Sequence, residues 1–329
     1  MSLLEVEQLK TYFATQEGLV KAVDGVDLHL DAGSTVGIVG ESGSGKSVLN
    51  LTILGLVPSP PAIVEANAIR FEGEDLLRAR KERLRQLRGN RIAMVFQDPM
   101  TSLNPFLTIG DQLSEPLRIH KGYSAAKANQ RIVELLGEVG IPEPEKRLLS
   151  YPHEFSGGMR QRAMMAMALA CEPALLIADE PTTALDVTIQ AQIMELLQRI
   201  REEHGTAIIL ITHDLGVAAG FCDTIHVMYA GKIVESAPTK QLFANPAHPY
   251  TQALLRSVPR LDEDSKDAFV SIRGVPPDLT RLPPGCAFAP RCDHVIDRCE
   301  SECPDLETQE DNPEHTRACF VDLGSGAGQ

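Results

Sequence analysis

The sequence predicts an α/β fold with a largely parallel sheet. Short β-branched runs alternate with longer amphipathic stretches, the pattern of strands joined by crossover helices. A glycine-rich octapeptide also sits between one such run and a helix-forming stretch, a placement that open parallel sheets use for phosphate. The strand-forming runs are Thr35–Val39, Arg91–Phe96, Ala174–Asp179, Ala207–Thr212 and Thr224–Met228. Between about residues 100 and 155 the pattern changes. Ala125–Val139 sets Ile132, Val133, Leu135, Leu136 and Val139 on one helical face, closed by Pro142 and Pro144, which predicts a helical subdomain inserted into the sheet.

At 329 residues the chain exceeds one ordinary domain of about 150 residues, which predicts a large domain with an appendage. A net charge of -14 argues against a nucleic-acid partner, because phosphate backbones are held by clustered Lys and Arg. The N-terminus lacks a positive segment followed by an apolar one, so no secretory signal is expected. Apolar runs such as Ala174–Ala178 and Ala207–Ile211 fall far short of the roughly 20 residues that span a bilayer. A cytosolic chain is therefore expected, with any membrane role supplied by a partner. The acidic run Asp262–Asp267, followed by Pro276, Pro277, Pro283 and Pro284, predicts a linker. The final Gly-Ser-Gly-Ala-Gly-Gln predicts a disordered tail.

Gly40, Ser42, Gly43, Ser44, Gly45, Lys46 and Ser47 complete the pattern G-x-x-x-x-G-K-[ST] after Thr35–Val39. Its glycines let successive N–H groups point into one concavity, where Lys46 reaches the β and γ phosphates of ATP. Val48 follows in the same helix start, and Ser47 offers its hydroxyl to Mg²⁺. Asp179 ends an apolar strand, where doubly wound sheets bind ligands, and is the expected second Mg²⁺ contact. Glu180, next to it, is placed to polarise the attacking water. Gln97 and His213 each end a strand, where a lone polar residue is usually a structural hydrogen-bonder.

Phe155-Ser156-Gly157-Gly158-Met159-Arg160-Gln161 before the Asp179 strand, and Ala184-Leu185-Asp186 after it, together resemble an ATP-binding-cassette (ABC) ATPase over about residues 3–255. That resemblance implies a P-loop NTPase with a RecA-like core, an antiparallel β subdomain and a helical signature subdomain. It makes Gln97 the Q-loop glutamine and a Mg²⁺ contact, Asp186 a D-loop residue and His213 the switch histidine. It implies a head-to-tail pair of ATPases, in which Ser156, Gly157 and Gly158 close on the partner's ATP. A helix predicted over Met159–Cys171 agrees with that role, since its N-terminus is another phosphate-binding end. Met159 stands where the commoner signature has glutamine. The resemblance also calls for an aromatic against adenine just after the first strand; Phe13 fits best and Tyr12 is the alternative.

Gln97-Asp-Pro-Met-Thr-Ser-Leu-Asn-Pro105, Asn245-Pro-Ala-His-Pro-Tyr-Thr-Gln-Ala-Leu-Leu255 and Gly285-Cys-Ala-Phe-Ala-Pro-Arg-Cys292 resemble one branch, the ATPase subunits of bacterial dipeptide and oligopeptide importers, whose relatives also carry nickel. This branch implies a second, paralogous ATPase, two permease subunits, an extracytoplasmic peptide-binding protein and a place at the cytoplasmic face of the cell membrane. Domains are expected at 1–258 and 259–322, with the tail at 323–329.

Five of seven cysteines, Cys286, Cys292, Cys299, Cys303 and Cys319, fall near the C-terminus. Four thiolates suit zinc or iron-sulfur, and a proline-rich segment with little core of its own favours a metal staple. The resemblance implies a [4Fe-4S] cluster on Cys286, Cys292, Cys299 and Cys319, with Cys303 the alternative fourth ligand and Zn²⁺ the alternative metal. Two other functions compete: a soluble ATPase acting on DNA or ribosomes, which the negative charge and single cassette oppose, and a degenerate nucleotide-binding subunit, which intact Glu180 and His213 oppose.

Overall fold

A computed structural model of the chain describes residues 2–98, 102–183, 186–257, 272–309 and 312–323. The expected linker at Asp262–Asp267, the tail, and Ala184 and Leu185 lie outside the described residues. In chain order the elements begin with β1 (Ser2–Thr15), β2 (Gly18–Asp31), β3 (Thr35–Val39), α1 (Lys46–Ile53), β4 (Ala62–Glu65), β5 (Ala68–Phe71) and β6 (Glu74–Asp75). Next come α2 (Lys81–Leu87), β7 (Ile92–Val95), α3 (Ile109–His120), α4 (Ala125–Glu138), α5 (Pro144–Arg147), α6 (Gly157–Leu169), β8 (Leu175–Asp179), α7 (Val187–His204) and β9 (Ala207–Thr212). The chain continues with α8 (Leu215–Phe221), β10 (Thr224–Tyr229), β11 (Lys232–Pro238), α9 (Thr239–Ala244), α10 (Pro249–Arg256), α11 (Asp297–Ser301), β12 (Glu307–Gln309) and β13 (Asn312–Arg317). These fall into two compact units, one of residues 2–30, 35–77 and 211–329, the other of residues 31–34 and 78–210.

The first unit carries two runs of strands. In the order β2-β1-β5-β6, with β4 also on β1, β1 pairs antiparallel from Leu4 opposite Phe71 to Glu7 opposite Ala68, then from Lys10 opposite Glu65 to Phe13 opposite Ala62. Val26, Leu28 and Leu30 of β2 are buried while Asp27, His29 and Asp31 between them are not, the alternation of a strand with one covered face. In β1 that alternation breaks at Gln8, whose φ of 51° turns its amide onto Asp27 Oδ1 at 2.8 Å.

The second run orders β12-β13-β11-β10-β3. β3 and β10 are parallel, Val36 beside Thr224 through Val39 beside Val227; β10, β11, β13 and β12 pair antiparallel in turn. β3 is buried at all five positions, as a strand covered on both faces must be. Thr35 starts it by donating its N–H to Asp223 Oδ2 at 2.9 Å. On β11, Glu235 is fully buried. Its carboxylate accepts the N–H groups of Ala247 at 2.7 Å and His248 at 2.9 Å, and His315 Nε2 of β13 lies 2.7 Å away. A buried carboxylate is tolerated only with its lone pairs so occupied, and here it pins the start of α10 to the sheet.

In the second unit β7 and β8 run parallel, Ile92 beside Leu175 through Val95 beside Ala178, in the order β9-β8-β7. Buried Leu113 and Leu117 of α3, Ile132, Leu135 and Leu136 of α4, and Met164 and Met165 of α6 form a helical core. Each of these helices has a hydroxyl cap: Thr108, Ser124 and Ser156 accept the N–H groups of Asp111, Lys127 and Met159. Because Ser156 caps it, α6 starts at Gly157 and ends at Leu169, two residues earlier at each end than the hydrophobic pattern suggests.

Burial holds His226 and His248 in their neutral forms, with each pKa pushed down to about 4. The unfolded chain takes up these protons near pH 6.5 and the folded chain does not, so stability falls as pH drops below that value. Between pH 6.5 and 5 urea denaturation should register a loss of about 2 kcal/mol for each histidine, and His248→Asn should remove its share of that slope.

Candidate functional site: the phosphate loop and its partners

The loop between β3 and α1 is shaped by contacts that exclude side chains. Gly40, at φ 155°, would place a Cβ 2.2 Å from the carbonyl oxygen of Met228, and Gly45, at φ 107°, would place one 2.1 Å from that of Ala22. Ser44 carbonyl accepts the N–H of Gly231 at 2.9 Å. Gripped so, the loop curls to the N-terminus of α1, where the helix dipole favours an anion. Ser42 and Gly43 are exposed, Ser47 and Val48 half-buried, and Lys46 buried. Lys46 Nζ donates to the carbonyls of Gly40 at 2.7 Å and Glu41 at 2.9 Å, which fixes the ammonium within the loop. Ser44 Oγ is buried with no hydrogen-bond partner among the described residues, an orphaned hydroxyl that a phosphate oxygen would satisfy.

The structure brings Gln97 and Glu180 together in the second unit. Gln97 Nε2 donates to Glu180 Oε2 at 2.9 Å, and Thr183 Oγ1 donates to the same oxygen at 2.8 Å. Glu180 has a φ of 46°, a left-handed conformation rare for a residue with a Cβ and a mark of a constrained site. Buried Asp179 precedes it at the C-terminal end of β8. Ser156 and Gly157 present an exposed helix start. Asp186 caps α7, accepting the N–H of Ile189 at 2.9 Å. In the first unit, exposed His213 directly follows β9.

The adenine-facing aromatic was expected after the first strand, but β1 runs on to Thr15, so Tyr12 and Phe13 both lie within it and point to opposite faces. Tyr12 hydroxyl is committed to Asp24, and Lys21 Nζ sits 5.8 Å from its ring. The full extent of β1 is hidden in the sequence because its alternation is broken at Gln8.

In the C-terminal segment burial pushes the Cys286 thiol up to about 11 and raises Cys292 and Cys319. Cys299 is an electrostatic neighbour of all three, and Cys286 N–H donates to Cys299 carbonyl at 2.8 Å. Cys303 is exposed, with Lys232 Nζ 3.6 Å from its sulfur. Among the described residues no group of three or more His, Cys, Asp and Glu side chains is gathered closely enough to hold a metal ion.

Glu41, Tyr250 and Arg291 lie inside motifs already quoted, but their link to one another is visible only in the structure. Glu41 donates its N–H to Tyr250 hydroxyl at 2.8 Å, and its carboxylate meets both terminal nitrogens of Arg291. Local motifs carry no signal for partners so distant in sequence.

Comparison with known proteins places this geometry in a class. Residues 23–183 match the ABC transporter family and residues 234–299 match the oligopeptide/dipeptide transporter C-terminal region. A dimeric ATP-binding cassette in a post-hydrolysis state, bound to ADP and Pi, superposes with a TM-score of 0.65 at 28% identity, over 72% of this chain and 98% of that one. Among relatives, an oligopeptide transport ATP-binding protein of Salmonella typhimurium is 52% identical over 97% of this chain and 93% of its own length. Another, from Bacillus subtilis, is 49% identical over 100% of this chain and 99% of its own. The chain belongs to the oligopeptide and dipeptide branch of the ABC transporter ATP-binding proteins.

At Gly45 the neighbour is backbone and cannot swing aside. Gly45→Ala should cost more than about 2 kcal/mol of stability and abolish ATP binding, measurable by thermal unfolding and equilibrium dialysis; wild-type affinity would refute the close-approach argument.

Proposed function

We propose that this chain binds and hydrolyses ATP to energise import of dipeptides or oligopeptides across the cytoplasmic membrane. The observation that carries the proposal is the 52% identity, over 97% of the chain, to an oligopeptide transport ATP-binding protein. Among the described residues no helix is long and apolar enough to cross a membrane, so in this reading the solute path belongs to two permease subunits that the chain engages from the cytoplasmic face. An extracytoplasmic peptide-binding protein delivers the solute, and a paralogous ATPase completes the pair. The domain boundaries proposed are 1–258 for the ATPase and 259–322 for the C-terminal extension, with 323–329 a tail.

Gly40, Ser42, Gly43, Ser44 and Gly45 cradle the β and γ phosphates with backbone N–H groups, joined by the starts of Ser47 and Val48. Lys46 exchanges its carbonyl partners for phosphate oxygens. Phe13 stacks on adenine, a role supported by the commitment of Tyr12 to Asp24. Ser47, Asp179 and Gln97 each offer an oxygen, the donor a hard cation requires, and would hold Mg²⁺, which would neutralise charge on the phosphates. The Glu180 carboxylate accepts a proton from the attacking water, and the hydrogen bonds that its Oε2 receives from Gln97 and Thr183 orient it. His213 donates to the γ phosphate. Ser156, Gly157 and Gly158 present their helix N-terminus to the partner's ATP, with Asp186 beside the same junction.

Cys286, Cys292, Cys299 and Cys319 would supply an all-thiol donor set to a [4Fe-4S] cluster only if drawn closer together than the structure holds them, and such a cluster would staple the extension. The raised pKa values of Cys286, Cys292 and Cys319 mean that their ligation would release protons. Exposed Cys303, beside Lys232, is left out.

Glu180→Gln should lower ATP turnover by about a hundredfold or more while ATP binding persists, read by phosphate release and nucleotide retention; unchanged turnover would exclude Glu180 as the base. Anaerobically purified protein should be brown with broad visible absorbance, lost in Cys299→Ser; a colourless protein carrying stoichiometric zinc would replace the cluster with Zn²⁺.

A further inference from the structure

Arg291 belongs to the cysteine-rich segment, yet its guanidinium is spent on the phosphate loop. Nη1 lies 2.6 Å from Glu41 Oε2 and Nη2 3.0 Å from Oε1, the two-pronged pairing that makes Arg–carboxylate contacts directional. Nη1 is also 3.3 Å from Tyr229 hydroxyl, and Nε donates to Arg273 carbonyl at 2.8 Å. The Arg291 side chain is only 5% exposed and that of Glu41 25%. Phe288, from the same segment, packs its ring 5.3 Å from both Tyr229 and Tyr250, which fixes the arginine's approach.

Glu41 is consequently held at every polar group. Its N–H is on Tyr250 hydroxyl, its carbonyl accepts from Lys46 Nζ, and its carboxylate is on Arg291. The neighbouring residues Ser42 and Gly43 are exposed, and a Cβ at Gly43 would meet nothing within 4 Å. Tyr250 and Arg291 tie this arm of the loop to segments distant in sequence, and the arm carries the carbonyl that positions Lys46. Glu41 also sets a negative charge in the loop that is meant to receive a polyanion, and an unpaired carboxylate there would repel phosphate.

We propose that Arg291 is a positioning residue of the nucleotide site: it neutralises Glu41 and holds the phosphate loop in its anion-binding form, so that ATP affinity depends on the C-terminal extension. The proposal rests on the ATP-binding reading above, which fails separately if the wild-type chain does not bind ATP.

The test is the ATP affinity of the purified full-length chain, read by displacement of a fluorescent ATP analogue, with thermal unfolding recorded beside it. Arg291→Met should weaken ATP binding about tenfold, because it strands the Glu41 charge beside the phosphates. Arg291→Lys keeps the charge but loses the fork and should weaken binding about threefold. Adding Glu41→Gln to Arg291→Met removes the stranded charge and should restore affinity to within about threefold of wild type, a rescue that a purely architectural arginine would not give. The proposal is overturned if folded Arg291→Met binds ATP as wild type does, or if the double variant binds no better than Arg291→Met. Should Arg291→Met not fold, wild-type affinity in Arg291→Lys overturns it equally.

Discussion

The phosphate loop is built on a backbone-to-backbone approach that leaves no room for a methyl group. Gly40 against Met228 and Gly45 against Ala22 lock the loop to the end of β10 and to β2, and the hydrogen bond from Gly231 to Ser44 continues the same seam. With the loop so gripped, the first turn of α1 is aimed, Lys46 is drawn inside, and the dipole of α1 faces the concavity. Thr11 and Thr52, joined through their hydroxyls at 2.9 Å in a buried contact, tie α1 back to β1. The long antiparallel strands are thus part of what holds the loop.

A second constraint is the placement of buried polar groups. Glu235 is the clearest: the unscreened carboxylate would be costly in the core, and its use of the Ala247 and His248 N–H groups converts that cost into a fixed start for α10. His248 Nδ1 then accepts the Tyr250 N–H at 3.0 Å, and Tyr250, wholly buried, delivers its hydroxyl to Glu41. The His-Pro-Tyr segment, which marks lineage in the sequence, therefore has a physical task. It carries order from the β11–β13 strand pair to the phosphate loop. The aromatic rings of Tyr229, Tyr250 and Phe288 pack against one another with centroids 4.6 to 5.3 Å apart, so the C-terminal segment enters the same arrangement.

Legibility in the sequence followed the range of the interaction. β3 and β9 were readable to the residue because continuous apolar runs bury on both faces, and α4 because its apolar stripe repeats at helical spacing. β7 is shorter at both ends than its run of residues, and α6 shifts to its Ser156 cap, since ends are decided by hydrogen bonds rather than by hydrophobicity. β1 was not legible: a single positive φ at Gln8 breaks its alternation, and that conformation depends on Asp27 across the ladder.

By itself the sequence determined the class of fold, the phosphate-loop pattern, the Asp179–Glu180 strand end and the family branch, because each is encoded in contiguous residues whose spacing is itself the physical requirement. Only the tertiary structure decided that Gln97 and Thr183 orient Glu180, that Tyr12 is occupied by Asp24, and that Arg291 reaches Glu41 from 250 positions away. Those pairings come from how distant segments pack, and no local pattern of charge or hydropathy specifies which buried arginine meets which carboxylate.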